Sequence, residues 1–297
     1  YDYDAASTAT VDDWAVVAAL GGVGRWLLVT DGVTVSASGG DDAPTLMAAG
    51  NAMANAGKKL YTPDTLYQIN TKWTWGRKPL HLVAHRGVKF ECGLTPDSSP
   101  ATAGFYCSAG GDAIIATTTI AAPNGVGEYT ISTTVAPSVG NYVRIRDDVS
   151  GLETSVPGFT GATYLVKAVS GAGPYTVTVD RPVLVKVLSG DECVILSDVA
   201  QGHFIEGFPT ISGTGTRLFE FVGTMHCRVQ AIFKPDTITD AVASFDVFGF
   251  DNHFMPGCEC YENGSGATDG MYLESQEAST IMAKVRGFTG GVGVSLF

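Results

Sequence analysis

Three acidic residues recur in the C-terminal third of the chain, each next to apolar neighbours. Glu220, Asp246 and Glu274 stand 26 and 28 residues apart. That interval falls in the range of repeat lengths found in stacked solenoid coils. If the apolar neighbours point inward, the three carboxylates face outward on adjacent strands about 4.8 Å apart.

A row of carboxylates at this spacing suits the acid and base of a glycosidase. Retaining enzymes separate the two groups by about 5–5.5 Å and inverting enzymes by about 6.5–9.5 Å. Like charges this close raise the pKa of one of them, as a general acid requires. We therefore predict Asp246, Glu274 and Glu220 as catalytic residues. The alternative is that they form ordinary solvated surface.

Residues near the acidic row are candidates for binding substrate. Asp251 and His253 lie on a predicted flanking turn, and loops over a rigid scaffold commonly hold functional groups. Tyr261 and Tyr272 can stack on sugar rings, although aromatic residues at such spacings also form cores. A lyase would need a base, for which Lys284, Arg286 and His253 are available. Spacing does not decide between hydrolysis and elimination.

Short apolar runs separated by Gly, Pro and polar turns must position these residues. The run at 80–83 alternates with the period of a half-buried strand. The helices that a doubly wound parallel sheet requires are missing from the pattern. We predict an all-β chain built as a right-handed parallel β-helix.

The pattern of apolar and polar residues changes between residues 109 and 200. Runs such as 142–146 and 175–179 alternate strictly and are separated by turns, which predicts an inserted antiparallel β module. The predicted organisation is a neck (1–38), a capping helix with the first coils (39–108), the inserted module (109–200) and further coils (201–297). Since the last residues stop within such a pattern, we expect further coils or a partner to cover that end.

Composition narrows the possible partners. The formal net charge of -12, without a Lys/Arg cluster, argues against nucleic acid. No apolar stretch approaches the roughly 20 residues of a membrane span, so no membrane insertion is expected. The six cysteines lack zinc or redox spacing and are predicted to be buried thiols. We expect no metal and no cofactor.

The N-terminal region resembles a known family. It contains Gly24-Arg25-Trp26-Leu27, then Asp41-Asp42 before a helix of small residues, then a strand pair from Leu60 to Ile69. Asp42 suits the N-cap, Pro44 the first turn and Gly57 the helix end. In this order the segments resemble the entry region of bacteriophage tailspikes with a pectate-lyase-like right-handed β-helix. Gly39-Gly40 replaces the Gly-Asp-Gly that usually precedes the paired aspartates.

The resemblance implies a homotrimer in the virion tail, joined to an upstream tail or baseplate anchor. Such proteins assemble in the cytoplasm of the bacterial host and act at its surface. Many bind and depolymerise capsule, exopolysaccharide or O-antigen by hydrolysis or β-elimination. The family has no common catalytic motif, so it assigns no residue here. The alternatives are a non-catalytic structural or receptor-binding tail protein and, with less support, a cellular pectate-lyase-type enzyme.

Overall fold

A computed structural model describes most of the chain. The described residues are 2–4, 16–18, 25–27, 31–85, 87–95, 103–108, 114–146, 161–183, 187–246, 249–261, 266–267, 269–273, 276–287 and 292–296. Within them, one helix accompanies 28 strands. No helix in this part of the chain is long and apolar enough to cross a bilayer.

The elements follow one another in three groups. The first is β1 (Asp2–Asp4), β2 (Val16–Ala18), β3 (Arg25–Leu27), β4 (Gly32–Thr34), α1 (Ala43–Ala56), β5 (Lys59–Thr62), β6 (Leu66–Ile69), β7 (Trp73–Trp75), β8 (His81–Ala84), β9 (Lys89–Gly93) and β10 (Ala103–Ser108). The second is β11 (Ile114–Ala122), β12 (Thr130–Thr133), β13 (Tyr142–Arg146), β14 (Gly161–Ser170), β15 (Tyr175–Val179) and β16 (Glu192–Leu196). The third is β17 (Phe204–Glu206), β18 (Thr210–Gly215), β19 (Arg217–Val222), β20 (Arg228–Val229), β21 (Ile232–Ile238), β22 (Ala243–Asp246), β23 (Gly249–Phe250), β24 (His253–Tyr261), β25 (Asp269–Leu273), β26 (Gln276–Glu277), β27 (Thr280–Arg286) and β28 (Val292–Leu296).

Parallel strands from successive coils form a β-solenoid with three faces. Face A is the six-stranded sheet β28-β25-β22-β19-β10-β7. Face B contains β4, β5, β8, β17 and β20 with the first halves of β24 and β27. Face C contains β6, β9, β18 and β21 with the second halves of the same two strands. The predicted parallel solenoid is confirmed.

Aromatic rings from successive coils fill the interior. The ring centroids of Phe219 and Phe245 lie 5.5 Å apart, and those of Phe245 and Phe254 lie 4.8 Å apart. Trp73 and Phe105 continue the stack at 4.9 Å. Each such side chain buries roughly 150–250 Å². Because these rings must point inward, the residues alternating with them are fixed on the outer faces.

Helix α1 packs against the first coil, as the sequence predicts. Pro44 stands in its first turn, and Gly57 ends it in the left-handed conformation. The paired aspartates attach this helix to the solenoid. Asp42 accepts hydrogen bonds from Ser38 and the backbone N–H of Gln68, instead of capping the helix with its side chain. Asp41 accepts from the N–H groups of Ala43 and Asn70.

The sheet of face B begins before the helix. Gly32–Thr34 pairs in parallel with Lys59–Tyr61. The solenoid therefore includes residues 32–34, which lie within the predicted neck. Further upstream, β1, β3 and β2 form a small antiparallel sheet of their own.

The inserted antiparallel module is a closed barrel with the strand order β11-β12-β15-β14-β13-β16. Its first and last strands pair with each other, with Ile114 opposite Leu196. The guanidinium of Arg181 joins it to the solenoid, since it lies 3.7 Å from the ring centroid of Phe250 and 4.4 Å from that of Tyr164. The barrel is thus held against the solenoid by a cation–π contact.

All six cysteines are free thiols and buried, as predicted. Burial raises the pKa of Cys92 to about 12. The six cysteines therefore belong to the core, and the Cys92 thiol stays protonated at neutral pH.

Candidate functional site: a buried carboxyl pair on face A

Arg217 holds two of the predicted catalytic carboxyl groups together. Its Nη1 atom donates to Glu220 Oε1 at 3.2 Å, to Ser244 Oγ at 2.8 Å and to Asp246 Oδ2. Its Nε and Nη2 atoms donate to Asp240 Oδ2 at 2.9 and 2.6 Å. One arginine on the outer side of face A therefore binds three carboxyl groups.

The strand register differs from the predicted one. Glu220 pairs with Ser244, and Asp246 pairs with Val222. The alignment of Glu220 directly over Asp246 is therefore wrong by two residues, because the coil between them is shorter than the predicted 26 residues. The two carboxyl groups still meet, since residues two apart on a strand share a face and both lean toward Arg217. The 28-residue step is correct for Phe245 and Leu273, which are partners.

The pair is buried, not solvated. Glu220 is 1% exposed and Asp246 is 8% exposed. Burial raises the pKa of Glu220 to about 8, Arg217 opposes this shift, and the charge and hydrogen bond of Asp246 add to it. Glu220 is accordingly a protonated carboxylic acid at neutral pH.

One oxygen of each carboxyl group has no hydrogen-bond partner among the described residues. These atoms are Glu220 Oε2 and Asp246 Oδ1, and both are buried. Buried polar atoms are nearly always satisfied in folded proteins, and exceptions often mark functional sites. These two unsatisfied oxygen atoms therefore mark the pair as a candidate functional site.

Two tyrosines stand on either side of the pair. Tyr106, Glu220, Ser244 and Tyr272 occupy one row across four adjacent strands of face A. The ring centroid of Tyr272 lies 5.9 Å from the Cζ atom of Arg217. From the strand spacing, the tyrosines are about 14 Å apart. Rings at the ends of such a row can stack on sugar units to either side of the acids.

Arg217, Tyr106 and Asp240 also belong to this site and were not predicted from the sequence. The strict alternation fails at the start of β19, where Leu218 and Phe219 are both in the core. A basic residue just before two consecutive core residues was the available signal. The predicted catalytic residue Glu274 lies outside the described residues.

Asp251 and His253 lie on face B, away from the carboxyl pair. His253 is the first residue of β24 and not part of a turn. The Asp251 carboxylate is bound by His253 Nε2 at 2.6 Å, His226 Nδ1 at 2.8 Å and Arg228 Nη2 at 2.9 Å. Burial opposes these hydrogen bonds, which nevertheless lower the pKa of Asp251 far below its usual value.

Tyr261 lies on face C. Its hydroxyl donates to Glu259 Oε2, and Lys234 Nζ is 5.6 Å from its ring centroid. The candidate lyase bases Lys284 and Arg286 pair with Glu259 and Tyr261 on the same face. Among the described residues, the predicted site residues are therefore distributed over three faces: Glu220, Asp246 and Tyr272 meet on face A, Asp251 and His253 meet on face B, and Tyr261 lies on face C.

No protein-family model and no curated protein matches the chain. Solved structures of phage tailspikes do. The tailspike gp61 of Pseudomonas phage phi297 matches with a TM-score of 0.61 at 13% identity, covering 84% of this chain and 42% of that one. The tailspike gp49 of Pseudomonas phage LKA1 matches with a TM-score of 0.48 at 13% identity, covering 85% and 43%.

A third similar structure is the gp54 tailspike of Acinetobacter baumannii bacteriophage AP22, solved in complex with A. baumannii capsular saccharide. It matches with a TM-score of 0.36 at 12% identity, covering 83% of this chain and 56% of that one. This chain thus spans less than half the length of the two Pseudomonas phage tailspikes. The resemblance to tailspikes with a β-helix is confirmed at the level of the fold.

Proposed function

We propose that this chain is part of a phage tailspike that binds a bacterial surface polysaccharide along face A and hydrolyses it. The fold shared with the phi297 tailspike supports the tailspike assignment. The observation that carries the hydrolytic activity is the buried Glu220–Asp246 pair on Arg217, between two tyrosines.

The two carboxyl groups have different roles in this proposal. Glu220, whose pKa is raised to about 8, is the general acid that protonates the leaving oxygen of the glycosidic bond. Asp246, held by Arg217, is the carboxylate that activates water or attacks the sugar. Because both bind one nitrogen atom, they lie too close together for a sugar to fit. Substrate entry therefore requires Arg217 to swing outward with Asp240, whose side chain is 39% exposed.

Hydrolysis fits face A better than β-elimination does. Elimination from a uronic acid needs a cation to neutralise the sugar carboxylate and a base to remove a proton. Two cations stand beside this row: Arg217, which three carboxyl groups already bind, and Lys72, whose Nζ lies 4.3 Å from the ring centroid of Tyr106. A suitable base is what elimination lacks here. A protonated Glu220 is an acid and not a base.

Binding without cleavage is the second candidate function. Its supporting observation is the burial of Glu220, which is 1% exposed and hydrogen-bonded within an ion-pair cluster. Removing a partner from such a cluster destabilises a protein whether or not the cluster is catalytic. In this alternative the tyrosines of face A hold the glycan and the carboxyl pair supports them.

We also propose that the chain forms a homotrimer in the virion tail, joined there to a tail or baseplate anchor. The resemblance of residues 24–69 to the entry region of tailspikes is what implies this assembly. Light scattering after size-exclusion chromatography is expected to give three times the 31.0 kDa chain mass. A monomer at micromolar concentration would contradict the proposal.

The decisive experiment is depolymerisation of a panel of capsular and O-antigen polysaccharides, following polymer size, reducing ends and unsaturated-uronate absorbance. Hydrolysis predicts shorter polymer with new reducing ends and no absorbance. Glu220→Gln and Asp246→Asn should lower the rate by at least about a hundredfold. Glu128→Gln, at an exposed barrel residue, is the matched control. Retention without shortening would support binding alone, and absorbance would contradict hydrolysis.

A further inference from the structure

A second candidate binding site lies on face B, where the end of α1 meets the first coils. It is a cleft of about 200 Å³, large enough for one sugar unit. The lining residues are Asp31, Gly57, Lys58, Lys59, Pro79, His81 and Gly202. None of them belongs to the carboxyl pair on face A, so this is a separate site.

The charges in the cleft leave one cation available. Lys59 Nζ is paired with Asp31 Oδ2 at 2.7 Å, and His81 Nε2 lies 2.6 Å from Glu206 Oε2. Lys58 is exposed, and its ammonium group has no hydrogen bond or ion pair to another described residue. The cleft therefore offers an ammonium group that an anionic ligand can bind without breaking a pair.

Two glycines keep the cleft open and limit repulsion from the helix end. Gly202 has a φ of +69°, and a Cβ there would lie 3.3 Å from Pro79. At the end of α1, the N–H groups of Gly57 and Lys58 donate to the carbonyls of Ala54 and Met53. These bonds satisfy two carbonyls that would otherwise face the cleft with their negative ends.

The cleft continues into a row of polar and aromatic side chains. Lys59, His81, Phe204, Arg228 and His253 are direct register partners across five adjacent strands. At about 4.8 Å per strand the row is about 19 Å long. Asp251 fixes Arg228 and His253 at its far end. A saccharide seated in the cleft can extend along this row over the stacked rings of His81 and Phe204, whose centroids lie 4.8 Å apart.

We infer that the cleft and row bind an acidic saccharide, with the carboxylate of one sugar unit on Lys58 and the chain running along face B. The site needs no catalytic group and does not depend on the hydrolysis proposed for face A.

The test is titration of the full chain with a galacturonate hexamer and, in parallel, a neutral maltohexaose. The five histidine ring signals report the position by NMR. The His81 signal should shift with the acidic hexamer only, while the signal of buried His203 should not move. Lys58→Ala should weaken binding on the order of fivefold, the effect of one exposed ion pair.

Lys234→Ala, which removes a lysine from face C, is the matched control and should leave binding unchanged. Glu128→Gln, at an exposed barrel residue, should also leave it unchanged. Because the titration measures binding alone, its result is separate from any failure of hydrolysis on face A. A His81 signal that never shifts, or that shifts equally with maltohexaose, would overturn the inference. So would equal affinity of the Lys58→Ala variant and the unmodified chain.

Discussion

The carboxyl groups of Glu220 and Asp246 meet at a single nitrogen atom of Arg217, although the two residues are not partners in the sheet. Their meeting depends on one side chain and not on the strand register alone. Arg217 therefore holds this part of face A together, and its charge opposes the rise that burial causes in the pKa of Glu220.

Glu220 should make the protein less stable at alkaline pH. Its pKa is raised from 4.5 in the unfolded chain to about 8 in the folded one, chiefly by burial. The folded state thus holds the extra proton, and stability falls as the pH rises from about 4.5 to about 8. Urea unfolding of Glu220→Gln should lose this decline, whereas Glu128→Gln should keep it. A decline that persists in Glu220→Gln would assign it to another group.

Replacing Arg217 should be strongly destabilising. Arg217→Met leaves buried carboxyl groups without their cation, which costs about 3–5 kcal/mol of unfolding free energy. Arg228→Met removes an arginine from a more exposed pair and should cost at most about 1 kcal/mol. Adding Glu220→Gln and Asp246→Asn to Arg217→Met should restore part of the loss in urea unfolding. Equal losses for the two arginine variants would contradict the central role of Arg217.

Gly213 should tolerate no side chain. It has a φ of +109°, and a Cβ would lie 2.0 Å from the carbonyl oxygen of Cys92 on the neighbouring strand. Gly87 has a φ of +89° with open space around it. Gly87→Ala should therefore cost about 1–2 kcal/mol from backbone strain alone, and Gly213→Ala should cost clearly more. If the urea unfolding midpoints of Gly213→Ala and Gly87→Ala fall equally, the backbone near Cys92 must shift to admit the new side chain without cost.

His203 should set the acid limit of stability above pH 4. Burial lowers its pKa from 6.5 to about 4, and its Nδ1 accepts from the N–H of Leu80 at 3.1 Å. Because the unfolded chain takes up the proton first, stability falls as the pH drops from about 6.5 to about 4. His203→Asn can keep the Leu80 hydrogen bond, and its stability should depend less on pH between about 6.5 and about 4. If stability still falls over this pH range in the His203→Asn variant, a different residue causes the fall.

Tyr272 should affect substrate binding more than turnover. It stands at the end of the face A row beside Arg217, so Tyr272→Ala removes a stacking surface while leaving the acids in place. With a polysaccharide that the chain cleaves, KM should rise about tenfold with little change in kcat. Tyr261→Ala, on face C, serves as the control and should behave like the unmodified chain. The reverse ranking would place the glycan on face C.

Residue periodicity was enough to predict which way side chains point. Phe219, Phe221 and Phe245 are inside, as the alternation indicates, and the acids between them are on the outer side. Register was harder because a solenoid coil changes length at its turns, and Glu220 pairs with Ser244 after 24 residues instead of 26. A register error of two residues leaves each side chain on its predicted face of the strand. It does change which residue lies opposite on the neighbouring strand.

The distribution of the candidate site over three faces could not be predicted from spacing. Asp251 is only five residues from Asp246, yet a corner of the solenoid lies between them. Tyr261 lies on the next face along the coil, face C, at the end of β24. Burial of Glu220 was also unpredictable, because it depends on Arg217 lying across the face. Distance along the chain carries no information about which wall of the solenoid a residue occupies.

The pairing of the first and last barrel strands has a consequence for the order of folding. Phe105 and Phe219 are neighbours in the stack, but the whole barrel sequence separates them. Contacts this distant along the chain form slowly, because the intervening segment must first lose its freedom. Once Ile114 and Leu196 are joined, the two ends of the barrel emerge side by side and the remaining gap is short. The barrel is thus expected to form early and to bring the second half of the solenoid next to the first.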